Sequence, residues 1–168
     1  MVPLTRVLPE MSRLSMVLVS ASPSAPMTAV PEVRAVEGRG LEGDRYLSGK
    51  GTFSPAVHRP DHEVTLVESE KIAAFAAASG LPFDSAMARR NLVTEGVDLN
   101  ALVGQTFQIG EVVLRGIRLC EPCNYLAKTT YPETLDGLVH RGGLRAQIVR
   151  GGVLRVGDAV RPVAPGLS

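Results

Sequence analysis

The sequence predicts a mainly β fold, a closed or nearly closed β-barrel with a few short helices, on two observations. Short apolar runs with β-branched residues recur along the chain, and 17 glycines and 12 prolines punctuate them. Only one stretch has the length and alanine content of a solid helix. Strands joined by turn residues at short spacing build barrels and sandwiches, whereas an alternating βαβ sheet needs a helix after nearly every strand. Gly-rich dinucleotide and phosphate-loop fingerprints are absent.

Residues 1–13 carry Pro3 and Pro9 without a period and read as an N-terminal extension, in which Met11 offers an alternative start. Leu14-Ser15-Met16-Val17-Leu18-Val19 reads as a half-buried strand, and the prolines of residues 22–31 then predict a loop. Gly38, Gly40 and Gly43 precede Asp44 and Arg45, which suits a tight turn that presents polar side chains, with Asp44 orienting Arg45. Residues 48–61, with Gly49, Gly51, Pro55, His58 and Pro60, read as a mobile loop that closes over a site as a lid.

Residues 64–67 read as a strand and residues 68–79 as a helix, with acids at its start and Gly80 after its end. Residues 105–109 and 112–119 flank Gly110-Glu111 as a β-hairpin. Residues 124–130 and 132–139 each predict a short helix; residues 144–149 and 153–160 return to strand, the latter interrupted at Gly157-Asp158. There is no internal repeat, and 168 residues fit one domain.

A net charge of +1 from 18 basic and 17 acidic residues creates no field that would favour nucleic acid or an anionic membrane. Lys50, Lys71 and Lys128 are the only lysines, so the cations are nearly all guanidinium groups, suited to a small phosphate- or carboxylate-bearing ligand. Two cysteines make no disulfide framework and fit a reducing, cytoplasmic compartment. The apolar run at Leu14 is too short and too interrupted for a signal peptide, and no run reaches the roughly 20 apolar residues of a membrane span.

The densest chemistry lies at Leu119-Cys120-Glu121-Pro122-Cys123-Asn124-Tyr125, just past a strand end. Half a zinc site would need two further ligands, and His58, His62 and His140 lack zinc-finger spacing. A thioredoxin-like pair would need a βαβ setting. Two buried small residues would need nothing further. A reactive Cys123, as nucleophile or as soft ligand of a metal or second sulfur, is the remaining chemistry. Arg89-Arg90-Asn91 reads either as a solvated strand end or as part of a ligand site. In the latter case Arg45, Arg90 and Arg145 converge on a phosphate while Asn91 reads a ring edge. His140 is a titratable group either in that site or in a structural turn.

Taken together, Gly40-Leu41-Glu42-Gly43-Asp44-Arg45, Val64-Thr65-Leu66-Val67-Glu68, Arg90-Asn91-Leu92-Val93, Leu102-Val103-Gly104 with Phe107-Gln108-Ile109-Gly110, Cys120-Glu121-Pro122-Cys123 and Gly142-Gly143-Leu144-Arg145-Ala146 through Val156-Gly157-Asp158 resemble the MOSC family, the C-terminal domain of molybdenum cofactor sulfurases. The resemblance covers residues 14–163 and is nearest to stand-alone bacterial members similar to hydroxylaminopurine reductases. It implies a pyruvate-kinase-barrel-like fold, a molybdenum cofactor (molybdopterin), and Cys123 as molybdenum ligand or sulfur carrier. It also implies Arg45, Arg90, Asn91, His140 and Arg145 at the cofactor. The implied activity is reduction of small N-hydroxylated compounds, with an electron-donor protein as partner. The implied alternative is a persulfide on Cys123, exchanged with a sulfur donor or acceptor protein for metal–sulfur cofactor assembly. Pyridoxal phosphate belongs to fused members whose desulfurase domain has no room in 168 residues.

Overall fold

The computed structural model describes residues 12–23, 25–48 and 58–163. Its main sheet has eight strands in the order β11-β7-β8-β9-β5-β6-β1-β2. These are β1 (Arg13–Val19), β2 (Thr28–Val30), β5 (Val64–Glu68), β6 (Leu92–Glu95), β7 (Thr106–Ile109), β8 (Val112–Leu119), β9 (Leu144–Arg150) and β11 (Val160–Pro162). A second sheet, β10-β3-β4, is formed by β3 (Glu32–Val36), β4 (Gly40–Leu41) and β10 (Gly152–Arg155). The described helices are α1 (Ser69–Ser79), α2 (Asn124–Thr129) and α3 (Thr134–Gly137). None is long and apolar enough to cross a membrane.

The period-2 alternation of the central strands divides their side chains between two cores. Val17, Leu66 and Leu92 point into the barrel with Phe107, Leu114, Leu144 and Ile148. Their neighbours Leu18, Val67 and Val93 face Ile72, Phe75, Leu126 and Leu138 on the outer side. That is why β5 is buried at every position: it lies between β6 and β9 with a core on each face. α1 buries Ile72 and Phe75, spaced one turn apart, and Phe75 meets Phe83 edge-on at 5.1 Å between ring centroids. Gly80, at φ 71°, ends the helix with its N–H on the Ala76 carbonyl.

The barrel is nearly closed rather than closed by a continuous ladder. The start of β1 reaches the segment before β11 through one bridge, Arg13 to Ala159. Leu14 N–H donates to Asp158 O at 2.9 Å, Gly157 N–H to Leu14 O at 2.8 Å and Val160 N–H to Ser12 O at 2.9 Å. The small sheet is tied to the barrel by Gly38 N–H donating to Ile148 O at 3.0 Å.

Four expectations change. Residues 22–31 are not loop throughout: Pro26 and Pro31 bracket β2, an edge strand where missing N–H donors are tolerated. The apolar stretch of residues 153–160 is two strands in different sheets, parted by Gly157 at φ 99°. One βαβ unit does occur, because α1 carries the chain from β5 to its parallel neighbour β6. Residues 49–57 of the expected lid lie outside the described residues. Its end, Pro60–His62, is not irregular loop but a 3-10 turn with Asp61 buried.

Gly143, at φ 113°, sits where β9 begins beside β5, and a Cβ there would lie on the Leu66 carbonyl oxygen. Gly38, at φ 67°, faces open space. Gly143→Ala is expected to cost about 3 kcal/mol or more, and Gly38→Ala only about 1 kcal/mol from backbone strain. Thermal unfolding checks this: the first variant should melt well below the second.

Candidate functional site

A cavity of about 510 Å³ opens where β5, β6 and β9 begin and β8 ends. Its wall is cationic, with guanidinium groups from Arg45, Arg59, Arg89, Arg90, Arg118 and Arg145 beside His62, and Glu121 is the one lining carboxylate among the described residues. Cys120 and Cys123 belong to the same wall. The volume falls within the range of small-molecule and cofactor sites.

Arg118 and Arg145 are direct cross-strand partners on β8 and β9. Like charges in that register destabilise a sheet unless something neutralises them. A register shift between Gly116 and Arg118 re-aims the end of β8, a common use of irregular strands beside functional sites. Asp61 supplies part of the counter-charge: its Oδ2 accepts from Arg118 Nε at 2.7 Å and its backbone carbonyl from Arg145 Nη1 at 3.4 Å. Arg145 Nε is buried without a hydrogen-bond partner, the one such side-chain atom among the described residues. Asp61 Oδ1 binds His62 Nδ1 at 2.9 Å. Burial alone would raise the Asp61 pKa, but the hydrogen bonds and charges of Arg118 and His62 outweigh it and hold the carboxyl below its usual value. Burial lowers the pKa of His62, against the pull of Asp61 and aided by Arg145 and Arg118.

On the other side of the cavity, buried Arg45 pairs with Asp44 at 3.1 Å and lies over the Tyr46 ring at 4.7 Å. Asp44 also accepts from the backbone N–H groups of Ser20 and Tyr46, so it orients Arg45 as expected. Arg89, at φ 58°, donates Nη1 to Ala25 O at 2.8 Å and Nη2 to Pro23 O at 3.0 Å. Its pKa is lowered by burial and then by the charge of Arg45. Tyr125, two residues past Cys123, donates its hydroxyl to the same Pro23 carbonyl at 2.9 Å.

Arg90 lines the cavity, yet its fork serves the protein's own carbonyls: Nε to Gly142 at 2.8 Å, Nη1 to Ala88 at 3.0 Å and Nη2 to Cys120 at 3.2 Å. Together with Cys120 N–H on Gly143 O at 2.7 Å, these bonds fix the approach to Cys123. Cys120 is buried, and Cys123 is half-buried immediately before α2.

The structure therefore brings Cys123, Arg45, Arg90 and Arg145 together and leaves Asn91 and His140 out of the cavity wall. Asn91 is fully buried, and its amide is consumed by Thr65 N–H and Oγ at 3.2 and 3.1 Å and by Leu18 O at 3.1 Å, which pins β6 between β5 and β1. His140 is exposed and held by Glu121 at 2.7 Å. The sequence reading missed Arg118 and the pairing of His62 with Asp61, and it left Arg89 open between a solvated strand end and a ligand site. The one available signal was charge inside an apolar strand: Arg118 stands in the β8 run Val-Val-Leu-Arg-Gly-Ile-Arg-Leu.

The model of the MOSC domain matches residues 48–161, well over half of the 168-residue chain. The chain belongs to the MOSC family. The family is associated with the molybdenum cofactor. Similar solved structures include the YuaD protein of Bacillus subtilis, at TM-score 0.72 and 17% identity over 92% of this MOSC chain and 98% of that one. YiiM of Geobacillus stearothermophilus matches at TM-score 0.71 and 15% identity over 93% and 77%, respectively. YiiM of Escherichia coli matches at TM-score 0.66 and 18% identity over 90% and 70%. At these identities the likeness establishes the shared MOSC fold. No curated protein matches this MOSC chain.

Two outcomes follow for the MOSC site. Arg90→Lys keeps the charge but cannot bond three carbonyls at once, so it should cost about 1–3 kcal/mol and raise amide exchange around Cys120 and Gly143. Exchange rates in this variant check it. Asp61, with its folded pKa below the ordinary 3.8, adds stability that is present above about pH 4 and lost as pH falls through the folded value. Asp61→Asn should therefore be less stable at pH 7, and urea unfolding should find the gap to the parent narrowing toward pH 2.

Proposed function

We propose that the cavity holds a molybdenum cofactor with Cys123 as the protein's sulfur ligand, and that the chain is an oxidoreductase for small N-hydroxylated compounds. The observation that carries this reading is the buried, unpartnered Arg145 Nε in a guanidinium-rich wall that also contains a half-buried cysteine. An arginine donor without an acceptor fits an anionic group, here the cofactor's phosphate.

The donor set fits as well. Among the described residues no cluster of three or more His, Cys, Asp or Glu side chains could hold a bare metal ion. A metal bound here is one that arrives with most of its own ligands and takes one soft donor from the protein, which Cys123 supplies. Bound, the cofactor would supply two-electron redox chemistry at the metal.

The chain's own residues do the positioning. Arg145 and Arg118 bind the anionic part, with Asp61 limiting their mutual repulsion. Arg45 is held rigid by Asp44 and Tyr46 to face the ligand from the opposite side. Arg90 holds the Cys120 backbone so that Cys123 enters the wall at a fixed place. The substrate class comes from the resemblance to hydroxylaminopurine-reducing members, and an electron-donor protein would complete the turnover.

A second reading is favoured by the half-exposure of Cys123, which leaves the thiol reachable by a partner: a sulfur carrier with a persulfide on Cys123 for metal–sulfur cofactor assembly.

Metal analysis of protein from a cofactor-competent, molybdenum-replete host separates the two. The oxidoreductase reading expects near-stoichiometric molybdenum, lost in Cys123→Ser with the fold unchanged by circular dichroism and largely kept in Cys120→Ser. Cyanide-releasable sulfur without stoichiometric metal would establish the carrier instead. Full molybdenum and reductase activity in Cys123→Ser would sink both.

A further inference from the structure

At the Asp61 end of the cavity, cationic groups from three elements meet a single carboxylate. Arg118 on β8 and Arg145 on β9 are register partners, and the 3-10 turn that carries Asp61 and His62 packs against these two strands. Arg59, just before the turn, reaches Asp61 Oδ1 at 3.7 Å but is largely exposed. Both oxygens of Asp61 are already occupied, Oδ2 by Arg118 and Oδ1 by His62. The local charge thus remains positive, and Arg145 Nε has no acceptor.

The His62 side chain is 12% exposed and lines the cavity. A carboxylate at Nδ1 requires a proton on that nitrogen, so in the neutral ring Nε2 carries a lone pair. A lone pair repels an oxyanion, whereas a protonated Nε2 donates to it. Burial still opposes protonation of His62, but an anion on Arg118 and Arg145 would offset the two charges that oppose it as well, leaving the pull of Asp61 less contested.

We infer that Arg118, Arg145 and His62 form a proton-linked subsite for a tetrahedral oxyanion, and that His62 takes up one proton from solvent at Nε2 as the oxyanion docks. The inference rests on the reading of the cavity as an anion-holding site, and it adds to that reading a residue, a location and a pH dependence. The sign follows from linkage: if the anion raises the folded pKa of His62, proton and anion bind together, and affinity rises as pH falls. The oxyanion is either the phosphate of the cofactor or an anionic group of the substrate.

The test uses the full chain free of cofactor, with sulfate as probe because sulfate does not titrate near neutral pH. The imidazole resonances of the three histidines are followed by NMR against pH in sulfate and in chloride of equal ionic strength, with His62→Gln for assignment. Saturating sulfate should raise the His62 midpoint by about one pH unit, and sulfate should bind several-fold, at most about tenfold, more tightly at pH 5.5 than at pH 8. His58 and His140, paired with Glu63 and Glu121 and absent from the described cavity wall, serve as in-molecule controls. His62→Gln should still bind sulfate, with nearly the same affinity at both pH values.

Sulfate binding with a stationary His62 midpoint, or an unchanged pH dependence in His62→Gln, overturns the inference and leaves the anion-holding cavity standing. Absence of sulfate binding at any pH overturns both. Repeating the titration on cofactor-loaded protein identifies the oxyanion. A His62 midpoint already raised and insensitive to sulfate assigns the subsite to the cofactor's phosphate, and a midpoint that still responds assigns it to the substrate.

Discussion

Two arginines facing each other across neighbouring strands set the terms for this site. Arg118 and Arg145 share a register on β8 and β9, and two cationic groups so placed call for an acceptor between them. The fold answers partly, with a 3-10 turn whose buried Asp61 reaches Arg118, and the same carboxylate then holds His62. The answer is incomplete by about one charge, and the unpartnered Arg145 Nε marks where it is incomplete. A bound anion would complete it, so ligand affinity and local stability draw on the same electrostatic deficit.

The remaining arginines of the wall act differently, and the distinction lies in what their forks touch. Arg90 and Arg89 spend their donors on backbone carbonyls of distant segments, Gly142 and Cys120 for the first, Pro23 and Ala25 for the second. A planar five-donor group can bridge loops in this way, and a lysine cannot. These two residues make the cavity a defined shape instead of a gap between loops. Arg45 is intermediate, since Asp44 and Tyr46 fix its direction while it remains part of the wall. A chain with 15 arginines and 3 lysines is consistent with both uses.

The β-rich architecture, the Gly110-Glu111 hairpin, the alanine-rich helix and the cysteine at a strand exit were all legible, because each has a local cause: alternation, turn chemistry or a cap. What depended on distant register was not legible. β2 is three residues between prolines, and its pairing with β1 supplies what its composition does not. Asn91 looked like a ligand reader beside Arg90, yet its bonds to Thr65 and Leu18 turn it inward, between β5 and β1. His140 looked chemical beside two glycines, but Glu121 holds it at the surface. Arg118 and His62 are 56 positions apart in the chain, and only the β8–β9 register and the turn at Pro60–His62 put them in one wall.

The two cysteines show how the surrounding backbone divides roles between identical side chains. Cys120 has its N–H on Gly143 O and its carbonyl on Arg90, and its side chain is buried, so it belongs to the frame. Glu121 is tied outward to His140, and Pro122 cannot donate a backbone hydrogen bond. The chain therefore turns away from the sheet within three residues. Cys123 is the first position past that turn and the last before α2, whose Leu126 anchors it in the outer core. It is half-buried, with its carbonyl accepting from Ala127 N–H at 3.0 Å and its side chain packed partly against the outer core at the cavity wall. A soft sulfur fixed in a wall whose positive charge exceeds its counter-charge is the arrangement on which the proposed cofactor reading rests.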